Sequence, residues 1–256
     1  MSEEAAKDLK IILPMATSYV KQKDFRNGLL LLNLIESSCS RLTSEDRNIY
    51  LEAYLGGALH ALEHGDDEKA KERFKRIIRF CSRRRNLSED DDEDCNYDMH
   101  IQTSENAEEI GRSLYIFFAR TCGLKVSLNC NQTAEEVKYD GQYQGVNDIM
   151  ERSSLIVLLL DSDNLKNGDP RYFINMAVRV SIDDNIGTGI IVMCFGELKV
   201  PGEIEQFPVF LQPRDLNLSK LKKEEKHQWL KDFFSRAAEQ PFPSKKPSEA
   251  EQTDSD

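Results

Sequence analysis

Tyr97-Asp98-Met99-His100-Ile101-Gln102-Thr103-Ser104 is the stretch on which the reading of the chain turns. Six consecutive acids, Glu89 to Asp94, stand before it, and such a run repels itself and stays solvated. After Glu105-Asn106 an amphipathic pattern runs from Ala107 to Gly123. Alternating apolar residues between a charged linker and a helix signal predict a strand that opens a new domain.

Beyond that strand the pattern alternates, which predicts a parallel sheet with helices on both faces. The expected order is strand 97–103, helix 106–122, strand 124–128, loop 129–143, helix 145–153 and strand 154–160. A helix at 170–182, a strand at 188–195, a short strand near 208–211 and a final helix at 223–238 follow. Leu155-Ile156-Val157-Leu158-Leu159-Leu160 has no polar break, as expected of a central strand buried on both faces. The domain is assigned to 97–240, the acidic linker to 88–96, and a Pro-, Ser- and acid-rich disordered tail to 241–256.

At 256 residues, 39% hydrophobic and 31% charged, the chain has material for one or two cored domains. Its formal net charge of −11 argues against general nucleic-acid binding, which demands a surplus of Lys and Arg. The apolar runs are too short to span a bilayer, so no membrane partner is expected. Met1-Ser2-Glu3-Glu4 lacks the features of a signal peptide, and the 6 cysteines form no Cys-x-x-Cys. Free thiols in a cytoplasmic protein are the expectation.

Residues 1–87 read as all-helical and internally repeated, with copies at about 9–42 and 51–84. Tyr54, Gly57, Ala58, Ala61, Gly65, Ala70, Phe74 and Ile77 are spaced in a way that resembles a tetratricopeptide (TPR) unit, with Gly65-Asp66-Asp67 as its turn. Ala16, Tyr19, Lys23-Asp24, Gly28, Leu32 and Ile35 take the matching offsets, with Lys23 where Gly is usual. Gly28 to Ala70 is 42 residues, longer than the usual repeat of about 34. A generic four-helix bundle is the alternative. Two hairpins fall short of the three needed for a stable stack, so the segment is expected to pack on its neighbour, another copy or a helical partner. Leu13, Thr17, Leu55 and Leu59 stand where a clamp for acidic chaperone tails needs Lys and Asn. His60-Ala61-Leu62-Glu63-His64 matches H-x-x-E-H, but no third ligand is evident and no metal site is assigned. Arg83-Arg84-Arg85 complements a helix C-terminus; a nuclear-localisation signal is the weaker reading.

With these elements in place, residues 97–240 resemble a TIR (Toll/interleukin-1 receptor) domain. The resemblance rests on Tyr97-Asp98 and Ser104, on Ile149 and Ser153 leading into Leu155–Leu160, on Phe207-Pro208-Val209, and on Trp229 in the last helix. It implies a flavodoxin-like fold with a five-stranded parallel sheet. It also implies a signalling adaptor of innate-immune type, whose partners are other TIR domains, self-association included. The loop after the second strand then takes the place of the TIR partner-binding loop. There Glu135, Glu136, Tyr139, Asp140, Gly141 and Tyr143 are the candidate contacts, and the family's R-D-x-x-P-G signature is missing. A generic flavodoxin-like domain would ordinarily carry a Gly-bearing phosphate loop after strand one, and Ser104-Glu105-Asn106 has no Gly.

Some TIR domains cleave NAD⁺ with a Glu on the third helix. The resemblance places Met176 at that position, and 170–182 contains no carboxylate. A thioether carries no negative charge and accepts no ribose proton. Asp161, Asp163 and Asp169 lie at the mouth of the sheet, where acids are commonly turn formers or caps. No catalytic residue, cofactor or metal is therefore assigned. The reading leans toward an adaptor; a NAD⁺-cleaving TIR hydrolase and a TPR-type binding module beside an inert α/β domain are the alternatives.

Overall fold

The computed structural model describes residues 3–34, 44–82, 97–103, 107–129, 149–161, 169–182, 188–195, 202, 205–213, 216–218 and 220–239. Four helices come first: α1 (Glu3–Lys21), α2 (Phe25–Leu34), α3 (Ser44–Glu63) and α4 (Asp67–Cys81). Strands β1 (Tyr97–Gln102), β2 (Val126–Asn129), β3 (Ser153–Asp161), β4 (Gly189–Phe195) and β5 (Val209–Gln212) then build one all-parallel sheet in the order β2-β1-β3-β4-β5. Helices α5 (Glu108–Ile116), α6 (Asp169–Ile182) and α7 (Lys223–Ala237) flank it. This is the flavodoxin-like order expected of the alternating pattern.

β3 and β4 are buried at every position. Side chains alternate across a strand, so the Leu155–Leu160 run divides between two cores. Leu155, Val157 and Leu159 join Met99, Ile101, Ile191 and Met193 against α4, α5 and α7. Ile156, Leu158 and Leu160 join Ile190 and Val192 against Ile174, Ala177 and Val180 of α6.

Some boundaries differ from expectation for local reasons. The helix expected over 145–153 is already in a turn at Arg152, because Ser153 enters the ladder opposite Tyr97. The Ser153 hydroxyl donates to the Ile149 carbonyl at 2.6 Å, closing that helical turn as the strand begins. α3 starts upstream of the expected repeat, since Tyr50 is 3% exposed and stacks on Phe80 of α4 at 4.7 Å. α5 continues as a π-helical turn, Phe117–Thr121, and both Phe117 and Phe118 are buried there, packed against Trp229. A regular 3.6-residue helix turns consecutive side chains about a quarter-circle apart, and the widened turn lets both rings face inward.

The N-terminal helices form two antiparallel hairpins. Their turns occupy equivalent positions: Gly65 has φ 73° and Lys23 has φ 59°. Lys23 thus takes a left-handed conformation that glycine adopts at no steric cost. Asp66 accepts a hydrogen bond from the Lys69 backbone N–H and so caps α4. Between the hairpins, a side chain on Gly56 would run into the Phe25 ring, and a Cβ on Gly57 would lie 2.7 Å from Leu29 Cδ1. The Tyr54 hydroxyl donates to Asn33 Oδ1 across the same seam.

The second hairpin also packs on the α/β layer. Phe74 of α4 meets Phe234 of α7 with ring centroids 6.3 Å apart, and Cys81 Sγ lies 3.7 Å from the Phe234 carbonyl oxygen. A Cβ on Gly189, the first residue of β4, would sit 2.5 Å from the Cys81 carbonyl oxygen. Lys223 pairs with Glu63 at 2.9 Å and Lys231 with Glu52 at 3.4 Å, joining α7 to α3 at the surface. The need of two hairpins for something to pack on is met by the neighbouring sheet and α7.

Candidate functional site

In an open parallel sheet the strands deliver their side chains to the carboxyl-end edge, where the order of the strands reverses. Here the order reverses at β1: the chain moves out from it to the edge strand β2 and then back across to β3. Gln102 is in register with Asn129 on one side and Leu158 on the other, while Asp161 aligns with Phe195 and Phe195 with Gln212. Helix α4 meets the opposite edge, at the start of β4.

A buried polar chain occupies the carboxyl end of β1 and β2. His100 is 1% exposed and Gln102 5%. His100 Nδ1 lies 2.6 Å from Ser127 Oγ, and Nε2 lies 3.3 Å from Gln102 Oε1. The Asn129 amide donates to the same Gln102 Oε1 at 3.1 Å, and the Gln102 amide donates to the Thr103 carbonyl at 3.5 Å. With Gln102 Oε1 accepting, Nε2 carries the imidazole proton and Nδ1 accepts from the Ser127 hydroxyl. Burial pushes the His100 pKa down to about 4, against the opposing pull of the Gln102 hydrogen bond. The ring is therefore neutral at pH 7, and its two nitrogens are both engaged. A serine beside an imidazole is half of a nucleophile–base pair, but the third group is an amide rather than a carboxylate. The arrangement joins two strands through polar contacts on the face that β3 and β4 line with Ile156, Leu158, Leu160, Ile190 and Val192.

The other sequence-derived residues fall as follows. Tyr97 opens β1, its backbone N–H donating to the Arg152 carbonyl at 3.1 Å. Asp98 accepts a hydrogen bond at 2.7 Å from the Lys125 backbone N–H, fixing the chain that enters β2. Ser153 is fully buried; its carbonyl accepts from the Thr188 hydroxyl at 2.8 Å. Trp229 donates from Nε1 to Gln212 Oε1 at 3.0 Å and stacks on Phe233 at 5.3 Å. Tyr97, Asp98, Ile149, Ser153 and Trp229 thus tie strand ends to their neighbours. Ser104, Asp163 and the loop candidates Glu135, Glu136, Tyr139, Asp140, Gly141 and Tyr143 lie outside the described residues.

Met176 is 7% exposed in the core beneath α6, and Asp161 is 7% exposed at the end of β3. At His60-x-x-Glu63-His64, Glu63 binds Lys223, which holds its carboxyl below the usual range. The His64 ring lies against the His60 carbonyl at 2.8 Å. Among the described residues, no three His, Cys, Asp or Glu side chains gather to hold a metal ion. Cys81, Cys122 and Cys194 are buried thiols, and burial pushes the Cys194 thiol up to about 11 and also raises Cys122. Thiols held protonated in this way are poor nucleophiles. No described helix is long and apolar enough to cross a membrane.

Reading the sequence for function missed the His100–Gln102–Ser127–Asn129 chain. Its signal was present: two polar residues at i and i+2 on β1 occupy one face of a strand whose other face, Met99 and Ile101, is apolar. No protein-family model, no curated protein and no solved structure matches the chain.

Proposed function

We propose that the chain is a cytoplasmic signalling adaptor whose α/β unit is TIR-like and acts by binding other TIR domains. The helical hairpins, read as TPR-like, serve as a recruiting or restraining module. The sheet order and the placement of Tyr97, Asp98 and Ser153 at strand starts support a TIR-like unit. One observation carries assembly over catalysis: the residue at the position of the TIR family's NAD⁺-cleaving Glu, Met176, is packed into the core beneath α6. A thioether there serves packing and offers no charge to a departing nicotinamide.

Partner contact is assigned to the loop after β2, where Tyr139 and Tyr143 flank Asp140-Gly141. Tyrosines bury large rings at an interface while their hydroxyls stay wet. Purified full-length protein is expected to leave NAD⁺ intact, with no nicotinamide detected by chromatography. Tyr139→Ala combined with Tyr143→Ala is expected to abolish pull-down of a partner TIR domain while the circular dichroism spectrum stays unchanged. Nicotinamide release that disappears in Asp161→Asn would overturn the adaptor reading. Full partner binding by a folded double variant would remove this loop from the interface.

A further inference from the structure

The 42-residue offset from Gly28 to Ala70 makes each hairpin a map of the other. In the second hairpin, the positions that face the first are identifiable. Gly56 and Gly57 of α3 meet Phe25 and Leu29, and Ala53, one turn earlier on the same stripe, is fully buried. Arg76 of α4 reaches back to Asn33 Oδ1 at 3.3 Å. Shifted by the offset, Ala53, Gly56, Gly57 and Arg76 become Ile11, Pro14, Met15 and Leu34. These residues mark the face of the first hairpin on which a further hairpin would stack.

That face is apolar and open. Ile11 is 55% exposed, Met15 48%, Leu30 57% and Leu34 69%, and these are four of the seven large hydrophobic side chains exposed among the described residues. From Ile11 to Val20 and from Asn27 to Leu34 neither helix carries a charged residue, in a chain that is 31% charged. The end of a helical stack normally presents a polar cap to solvent. A contiguous apolar face of this kind marks an interaction surface.

We infer that this face is a homotypic interface, the first hairpin of one copy stacking on the first hairpin of a second copy about a two-fold axis. Three features select a second copy. The residues of α2 that grip the next hairpin, Phe25 and Leu29, are already engaged with α3, so a copy cannot extend the stack head to tail and must present the same free face. The face also has bulky Ile11 and Met15 where α3 has Ala53 and Gly57, so it fits a row of similar side chains better than a deeply inserted ring. Finally, a chain of net charge −11 meets its own copy with least repulsion where helix surfaces are uncharged.

The area is sufficient. At roughly 100 Å² for each of the apolar side chains, two copies cover about 800 Å² before the polar rim is added. The polar rim, with Ser18 and Asn27, brings the total toward the roughly 1,200–2,000 Å² of stable interfaces. Two hairpins from each copy also exceed the three or so repeats that a helical stack needs. This inference is independent of the TIR reading, since it uses neither the sheet nor the loop after β2.

Sedimentation velocity on the full-length chain between about 1 and 100 µM tests it. A dimer is expected, with amide hydrogen exchange in α1 and α2 slowing as concentration rises. Met15→Asp combined with Leu34→Asp is expected to raise the dissociation constant at least ~100-fold, whereas Leu211→Asp on β5 leaves it unchanged. The milder pair Met15→Gln with Leu34→Gln weakens the dimer at least ~10-fold and serves if the charged pair disturbs folding. Mixing the Asp pair with Met15→Lys/Leu34→Lys is expected to restore a heterodimer, which only a face-to-face contact allows. A wild-type chain that is monomeric at the highest concentration overturns the proposal. So does a dimer that survives the folded Asp pair, or one lost instead with Tyr139→Ala/Tyr143→Ala. A monomer whose α1 and α2 are protected only by a different protein overturns it as well.

Discussion

His100 sits between β2 and the rest of the sheet as a neutral, fully buried imidazole, and this gives it a signature in the pH dependence of stability. Its folded pKa is pushed down to about 4, chiefly by burial, while an unfolded histidine titrates near 6.5. Above the unfolded value both states are neutral and the residue contributes no slope. As pH falls from about 6.5 toward 4 the unfolded chain takes up a proton that the folded chain refuses, so stability declines across that window. Between pH 7 and pH 5 the loss attributable to this residue is about 2 kcal/mol. Urea midpoints measured at both pH values should show it as a difference in slope between wild type and His100→Asn. Equal slopes in the two proteins would mean that the ring is hydrated or charged in the folded state. The comparison with the variant is needed because carboxylates that lose partners in acid add their own decline.

At the scale of elements, the contact between α4 and the start of β4 is closer than any side chain allows. Gly189→Ala places a Cβ against the Cys81 carbonyl and the Ser82 Cα, backbone atoms that cannot rotate away. The cost expected from forcing α4 off the sheet is about 1–3 kcal/mol. Gly202→Ala, with nothing within 4 Å of its Cβ, is the control and should stay within about 0.5 kcal/mol of wild type. Chemical denaturation of the two variants decides whether α4 is fixed to the sheet there. This contact was not legible in the sequence. Gly187-Thr188-Gly189 reads as a turn into a strand, and β4 does begin at Gly189, but the reason for that glycine lies on a helix more than 100 residues earlier. The strands themselves were legible because burial on both faces leaves a continuous apolar run, as in Leu155–Leu160. The hairpins were legible through small residues such as Gly57, Ala58 and Ala61, and Gly57 does make room for Leu29 of α2. Phe117-Phe118 hid the π-turn, since two adjacent rings facing one core break the regular helical period. The candidate site was legible only in its scaffold. Tyr97, Asp98 and Ser153 fall at strand starts, whereas the His100 chain needs the β1–β2 register to bring residues 27 apart into contact.

For the whole molecule, one core runs from α1 through α4 into the sheet and out to α7, joining residues on both sides of the acidic run. Phe74, Ile77, Phe80 and Cys81 pack in the same cluster as Leu155, Val157, Ile191, Phe233 and Phe234. Division of the chain at the acidic run would therefore expose the apolar side of α7 and the start of β4. A fragment comprising 97–240 is expected to bind the dye ANS, to aggregate, and to lose the single cooperative transition of the full chain, while addition of 1–87 in trans restores solubility. Phe74→Ala in the intact protein tests the same coupling without truncation. Deleting a fully buried ring at this seam costs about 3–5 kcal/mol, and the helices and sheet should still unfold together. Far-ultraviolet circular dichroism, which follows the helices, and Trp229 fluorescence, which follows α7 and β5, should then share one midpoint. Separate midpoints, or a fragment 97–240 that is monomeric and cooperative, would make the hairpins an appended module. A shared midpoint would instead mean that a partner bound to the hairpins acts on the sheet through a packed seam. The acidic run would then be a connection between parts already in contact, and restraint of the α/β surface by the helices would need no long tether.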